Sequence, residues 1–387
     1  MSHLLRLLLG GFLTLAVVMG VGRFYYTPLL PIMRSEYGFG VDTAGLIAGF
    51  NFAGYLLGSL LVTIVSGKAM RLATFRFGLV VSVATTLAMG LTDSLPLWYA
   101  LRALSGIASA LAMISAAGII AESLAHIGQE ARIGWVFGGV GTGIAASGLL
   151  VHVTESGLSS SSLWIAAGLG CAALLPVMLV FVHDRELSAA ARTSHHIKRV
   201  PRPLPFWPLF ASYTLEGLGY SVFATFIVAI VKSRPGLEEV GSWVWIIVGL
   251  AGLPSCLLWS ALAERIGFSL ALLLAFLTQI LGISLPVLSD SGAAALAAAF
   301  LFGGTFIPIT LLTMPLGRKG LGGKGFAVLT AGFGLGQMLG PLATGYLVAG
   351  PADYDTALLA SAGVVSVGAL LLAFAMATRR EAPSGNA

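Results

Sequence analysis

Apolar stretches of about twenty residues, each almost free of charge, recur along nearly the whole sequence, and they leave few folds open. Leu270–Leu288, Ala293–Met314 and Leu358–Ala377 contain no Lys, Arg, Asp or Glu. As helices, runs of roughly 18 or more such residues span a hydrocarbon core of about 30 Å. The apolar runs and their polar interruptions predict helices near 7–32, 43–66, 73–91, 95–121, 132–153 and 162–182. A second set follows near 205–231, 241–262, 267–288, 292–314, 324–349 and 356–378. Only 10% of the 387 residues are charged, too few to cover the surface of a soluble chain this long. The 50 glycines lie within apolar segments, where small residues let membrane helices approach closely. The expectation is an all-α integral membrane protein.

The longest polar stretch runs from His183 to Pro205 and carries Arg185, Arg192, Lys198, Arg199 and Arg202. Pro201, Pro203 and Pro205 disfavour a continuous helix through it. It divides the chain into an N-terminal six-helix bundle over 1–183, a central loop over 184–204 and a C-terminal six-helix bundle over 205–387. With both termini on one side, that side holds Arg6, Lys68, Arg71, Arg76, Arg132, the central loop, Arg265, Arg318, Lys319, Lys324, Arg379 and Arg380. Only Arg34, Lys232 and Arg234 fall on the other, so the positive-inside rule makes the termini cytoplasmic. Glu155 and Asp353 are among the mostly external acids. The net charge of +5 then serves topology and contact with anionic lipid, and calls for no nucleic-acid partner. Arg6 precedes an apolar stretch as in a signal peptide. That stretch runs on through Arg23 to Pro31 without a small-x-small cleavage site, so a retained first helix is expected.

Sliding the second half back by 197 positions places Gly217 and Gly219 opposite Gly20 and Gly22, and Gly336 and Gly340 opposite Gly139 and Gly143. Six spans per repeat is an even number, so the repeats are parallel, around an axis along the membrane normal.

Few ionisable residues fall inside the spans. Arg23 lies in Gly20-Val-Gly-Arg-Phe-Tyr-Tyr-Thr-Pro-Leu-Leu-Pro31, where a cation costs at least about 2.5–3.5 kcal/mol. It faces a polar cavity or partner, or it snorkels to the interface. Tyr26 and Thr27 share its face in a regular helix, and Pro28 and Pro31 can break that helix and free carbonyls toward a cavity. Glu216 is the acid deep inside a span, with Tyr213 and Tyr220 at helical spacing to hydrogen-bond it. Burial disfavours a charged carboxylate, which makes Glu216 a candidate proton carrier. The alternative is a structural carboxyl that locks two helices, and pairing with Arg23 is open. Arg102 lies about 10 Å into the fourth span by helical rise. Asn51 and Gln337 can bond substrate or a neighbouring helix.

Other chemistries find little support. Gly332-Phe-Gly-Leu-Gly-Gln-Met-Leu-Gly340 lacks the strand and acid of a dinucleotide site, and Gly317–Gly325 lacks the spacing of a phosphate loop. Cys171 and Cys256 sit in apolar runs as packing residues. His195 and His196 belong to the basic central loop, while His126 and His152 lie near helix ends without a metal-binding cluster.

Together these residues resemble the major facilitator superfamily. Ser260-Ala-Leu-Ala-Glu264-Arg265-Ile-Gly267 is similar to its Gly-x-Leu-Ala-Asp-Arg-x-Gly loop, with Ser and Glu as departures. Arg102-Ala-Leu-Ser-Gly106 resembles its Arg-x-x-x-Gly element, often linked to coupling. Gly134–Gly141 resembles its glycine-rich fifth helix, with Gly139 where Pro is expected. The loop Ser66-Gly-Lys68-Ala-Met-Arg71 departs by lacking the acidic residue. The run Gly22–Pro31, with Gly219-Tyr220 and Gly336-Gln337-x-x-Gly340-Pro341, looks like the YbfB/YjiJ-type branch. The resemblance implies twelve transmembrane helices in two pseudo-repeated six-helix bundles, with helices one, four, seven and ten lining a central site.

The expected function is secondary active transport of a small organic solute by alternating access, coupled to protons. Arg23, Tyr26, Thr27, Asn51, Tyr220 and Gln337 are the substrate-binding candidates. Glu216 and Arg102 are the candidates for proton coupling, and Glu264 with Arg265 forms the gating loop. No cofactor or metal is expected. The expected partners are solute, protons and membrane lipids, for a monomer in the bacterial inner membrane. Rival readings are a non-transporting sensor or assembly subunit, expected to carry a soluble domain or long tail, and an enzyme on lipid-linked substrates, which needs converging His, Asp or Glu residues.

Overall fold

The computed structural model describes residues 2–65, 67–154, 157–183, 202–318, 320–348 and 354–379. Arg185, Arg192, His195, His196, Lys198, Arg199 and Pro201 of the central loop lie outside the described residues, as do Ser66, Glu155, Lys319, Asp353 and Arg380.

Among the described residues, twelve helices are long and apolar enough to cross a membrane. They are α1 His3–Tyr37, α2 Val41–Val62, α3 Lys68–Met89, α4 Leu95–His126, α5 Ile133–Thr154 and α6 Ser160–Phe181, then α7 Phe206–Lys232, α8 Glu238–Ile266, α9 Phe268–Leu288, α10 Gly292–Gly317, α11 Gly325–Leu347 and α12 Tyr354–Ala377. The outward side chains Phe77, Phe300, Leu370 and Phe374 are more than half exposed, a surface that hydrocarbon solvates and water does not. Trp135 and Trp207, also exposed, sit at the starts of α5 and α7, where indole rings anchor a helix at the interface.

The first six helices form one bundle and the last six another. The bundles meet where α2 packs along α11 and α5 along α8. At the α5–α8 crossing a Cβ on Gly141 would strike the backbone of Leu253, and one on Gly249 that of Ala145. Glycine is the residue that permits this approach. Thr27 and Ala224, 197 residues apart, meet each other: the Thr27 hydroxyl donates to the Ala224 carbonyl at 2.6 Å. Two repeat-equivalent residues in mutual contact lie on the axis that relates the halves.

Among the described residues, two helices are broken. In α1, residues Ala16–Val21 wind into a π-helix, the chain turns through 22–25, and an α-helix resumes at Tyr26. The break lies one turn ahead of the position expected from Pro28 and Pro31. Proline withholds the N–H that its residue four back would accept and crowds that carbonyl, so Pro28 acts on Phe24. In α10, which reads as one continuous run in the sequence, helix Gly292–Gly303 gives way to Phe306–Gly317. Pro308 leaves the Gly304 carbonyl without its helical donor, and the Trp259 indole supplies one at 2.7 Å.

Candidate functional site

Between the bundles lies a cavity of about 470 Å³, a volume suited to a small organic molecule. Residues of α1, α2, α4, α5, α7, α10 and α11 line it, including Ala121, Pro315 and Phe326. Those three sit near the ends of α4 and α10 and the start of α11, on the face where α1 begins, here called the terminal face. Toward the opposite face the bundles are joined. There Thr27 bonds Ala224, and Arg34 Nη1 donates to the Tyr354 hydroxyl at 2.8 Å.

Arg23 lines this cavity from the break in α1 and is 3% exposed. Its Nη2 donates to Gln337 Oε1 at 2.7 Å, and the Gln337 amide in turn donates to the Tyr220 hydroxyl. The guanidinium carbon stands 4.1 Å from the Tyr55 ring centroid and 4.8 Å from that of Phe52, so cation–π attraction offsets part of its lost hydration. Its buried Nε has no acceptor. The structure therefore joins Arg23, Gln337 and Tyr220, three candidates from two bundles, at one end of the cavity. Tyr220 is also the residue that the 197-position repeat sets opposite Arg23.

Tyr26 and Thr27 do not share that wall. The turn through 22–25 resets the helical register, so Tyr26 donates to Ala44 O at 3.2 Å and Thr27 reaches across to Ala224. The carbonyls freed at the break do not face the cavity either. Arg102, 2% exposed, reaches them from α4: Nη1 donates to Gly22 O at 3.0 Å and Nη2 to Arg23 O at 2.9 Å. Ser105 adds a third bond, to Gly22 O at 2.9 Å. An unsatisfied carbonyl at this depth would cost free energy, and a fixed guanidinium fork answers two at once. Asn51 packs helices together, its amide donating to Arg102 O at 3.1 Å beside Gly106.

Glu216 is fully buried, and neither carboxyl oxygen makes a hydrogen bond of regular geometry. The expected tyrosine partners are engaged elsewhere, Tyr213 donating to Thr310 Oγ1 at 3.0 Å and Tyr220 accepting from Gln337. Its polar neighbour is Gln279 of α9, itself fully buried. Glu216 does not pair with Arg23, which is spent on Gln337 and the aromatic faces. Glu264 and Arg265 end α8 at the terminal face, ahead of a turn at Gly267 with φ +97°. Cys171 and Cys256 are buried free thiols.

Beyond the expected residues, the site holds a stack of parallel rings. Tyr213 and Phe333 lie 4.3 Å apart, Phe333 and Tyr220 5.5 Å, and Tyr220 and Phe306 6.3 Å, all with planes within 9°. All four rings line the cavity. A spacing signal for it exists in the sequence: Tyr213 and Tyr220 are two helical turns apart, and Phe333 is one turn before Gln337.

Solved structures share this architecture, two of them of one protein. Crystal structures of the nucleoside transporter NupG superpose with TM-scores of 0.73 for a point mutant and 0.72 for NupG itself. The first is 15% identical and covers 96% of this chain and 99% of the other, and the second is 14% identical with 98% and 100% covered. At such identity the likeness concerns the fold. No curated protein matches the sequence. The family model described as "Uncharacterised MFS-type transporter YbfB" matches residues 15–373. Match and fold agree: the chain belongs to this MFS transporter family, and it is a multi-pass membrane transporter rather than an enzyme.

Proposed function

We propose that this protein moves a small organic solute across the bacterial inner membrane by alternating access, coupled to protons. The halves 1–183 and 205–387 rock as units about the α2–α11 and α5–α8 crossings. The carrying observation is a cavity between the bundles that ends on a buried Arg23 and lies on the terminal side of the Thr27–Ala224 contact. The positive-inside count makes the terminal face cytoplasmic, so this conformation is the inward-facing one. Arg23, Gln337 and Tyr220 hold the polar end of the solute. Arg102 fixes the bend that presents Arg23, and Glu264 with Arg265 contributes to closure at the terminal face. One chain contains the whole cavity, so a monomer in lipid suffices.

Glu216 carries the proton, because a fully buried carboxyl whose polar neighbour is the neutral Gln279 responds to small changes in surroundings as the bundles move. The test is reconstitution in liposomes with an internal pH-sensitive dye and a solute panel. Solute-dependent proton flux is expected, absent in Glu216→Gln while solute exchange continues. Unchanged flux in that variant removes Glu216 from the mechanism, and absence of solute movement in the native protein defeats the transport reading.

A further inference from the structure

The cavity pairs one cation with a wall of rings, and that pairing narrows the solute. Among the described residues, Arg23 is the one charged group lining it, and no carboxylate bonds to Arg23. Its guanidinium rests on Tyr55 and bonds to the neutral Gln337, with Nε left over. A buried cation so placed lacks a counter-charge, and a planar fork favours a carboxylate over a point anion. Beside it, Tyr213, Phe333, Tyr220 and Phe306 offer parallel faces, the geometry in which a further flat ring stacks. The remaining wall is mostly aliphatic, aromatic and thioether, so a second charge on the solute would meet no partner there.

Resting on the transport reading above, we infer that the solute class is a small aromatic monocarboxylate: its carboxylate bonds to Arg23 in place of Gln337, and its ring stacks on the α7–α10–α11 aromatic array. A neutral nucleoside would stack but leave Arg23 uncompensated. An aliphatic acid would satisfy Arg23 but forgo the stacking, and a dianion would strand one charge.

Isothermal titration of the full-length protein in lipid nanodiscs with benzoate, cyclohexanecarboxylate, benzamide, phthalate and uridine tests this. Benzoate is expected to bind at least about tenfold more tightly than each of the others. In Arg23→Gln the preference for benzoate over benzamide is expected to vanish. In Arg23→Lys, which keeps the charge should the Gln variant fail to fold, it is expected to weaken but persist. Phe333→Leu is expected to erase the preference for benzoate over cyclohexanecarboxylate and to leave that over benzamide. Equal binding of benzamide or cyclohexanecarboxylate, or binding of uridine or of no compound in the panel, overturns the class. Transport of some other solute in liposomes would then leave the transport reading standing. Binding of benzoate without solute movement would do the reverse.

Discussion

Positions 23 and 220 are equivalent under the 197-residue repeat, both line the cavity, and both touch Gln337, yet one is a guanidinium and the other a phenol. The same contrast runs through the helices that carry them. α1 is broken beside Arg23 and its freed carbonyls are held by Arg102, whereas α7 is continuous from Phe206 to Lys232 and buries Glu216. The repeat counterpart of Arg102 is Ala299, since 102 and 197 sum to 299, and in that half the break falls in α10 instead. The two halves thus keep a common helical scaffold and divide the chemistry. The first supplies the cation and the clamp that aims it, the second the rings and the acid. A transporter gains from this, because a site split between two bodies is complete only when both are in register.

The comparison predicts unequal costs for equivalent damage. Arg102→Leu leaves Arg23 O without a donor and Gly22 O with Ser105 alone, and removes two charged bonds, so unfolding in detergent should show a loss of about 3 kcal/mol, with transport abolished. A loss below about 1 kcal/mol would mean that water or a neighbour satisfies the α1 break, and that the clamp is dispensable. Trp259→Phe removes one neutral bond, to Gly304 O at the α10 break, and should cost only about 1 kcal/mol. If it costs as much as Arg102→Leu, the two breaks are held alike and the contrast fails. Tyr220→Phe deletes one hydroxyl that receives the Gln337 amide, and solute binding should weaken by about fivefold, less than for Arg23→Gln. An equal loss in both variants would place phenol and guanidinium on the same footing.

Much of this architecture is legible in the residues. Helix ends agree within about five residues because hydrocarbon leaves a blunt signature in composition. The 197-residue offset survived in glycines because close helix crossings tolerate little else. At the site, Arg23 and Gln337 stood out as polar groups in apolar runs, and they do meet. Their neighbours misled for a physical reason. Tyr26 and Thr27 share a face with Arg23 only in an unbroken helix, and the break that Pro28 imposes lies between them. Arg102 is legible as a coupling candidate because a buried cation in a span signals function, but the carbonyls it bonds are freed only where the helix breaks, which composition does not show. The ring stack escaped notice because Phe and Tyr are common in apolar spans, and only their mutual orientation distinguishes a wall from filler.

Alternating access requires that the two faces open reciprocally around a fixed site. Pairs of cysteines in a Cys171→Ala/Cys256→Ala background test it most directly. One pair replaces Thr27 and Ala224, in contact toward the closed face. The other replaces Gly118 and Met314, on opposing walls of the cavity, where a Cβ at Gly118 meets nothing within 4 Å. Crosslinking rates measured with and without an imposed pH gradient and solute should change in opposite directions for the two pairs. Rates that stay fixed, or that rise or fall together, would contradict alternating access in this protein.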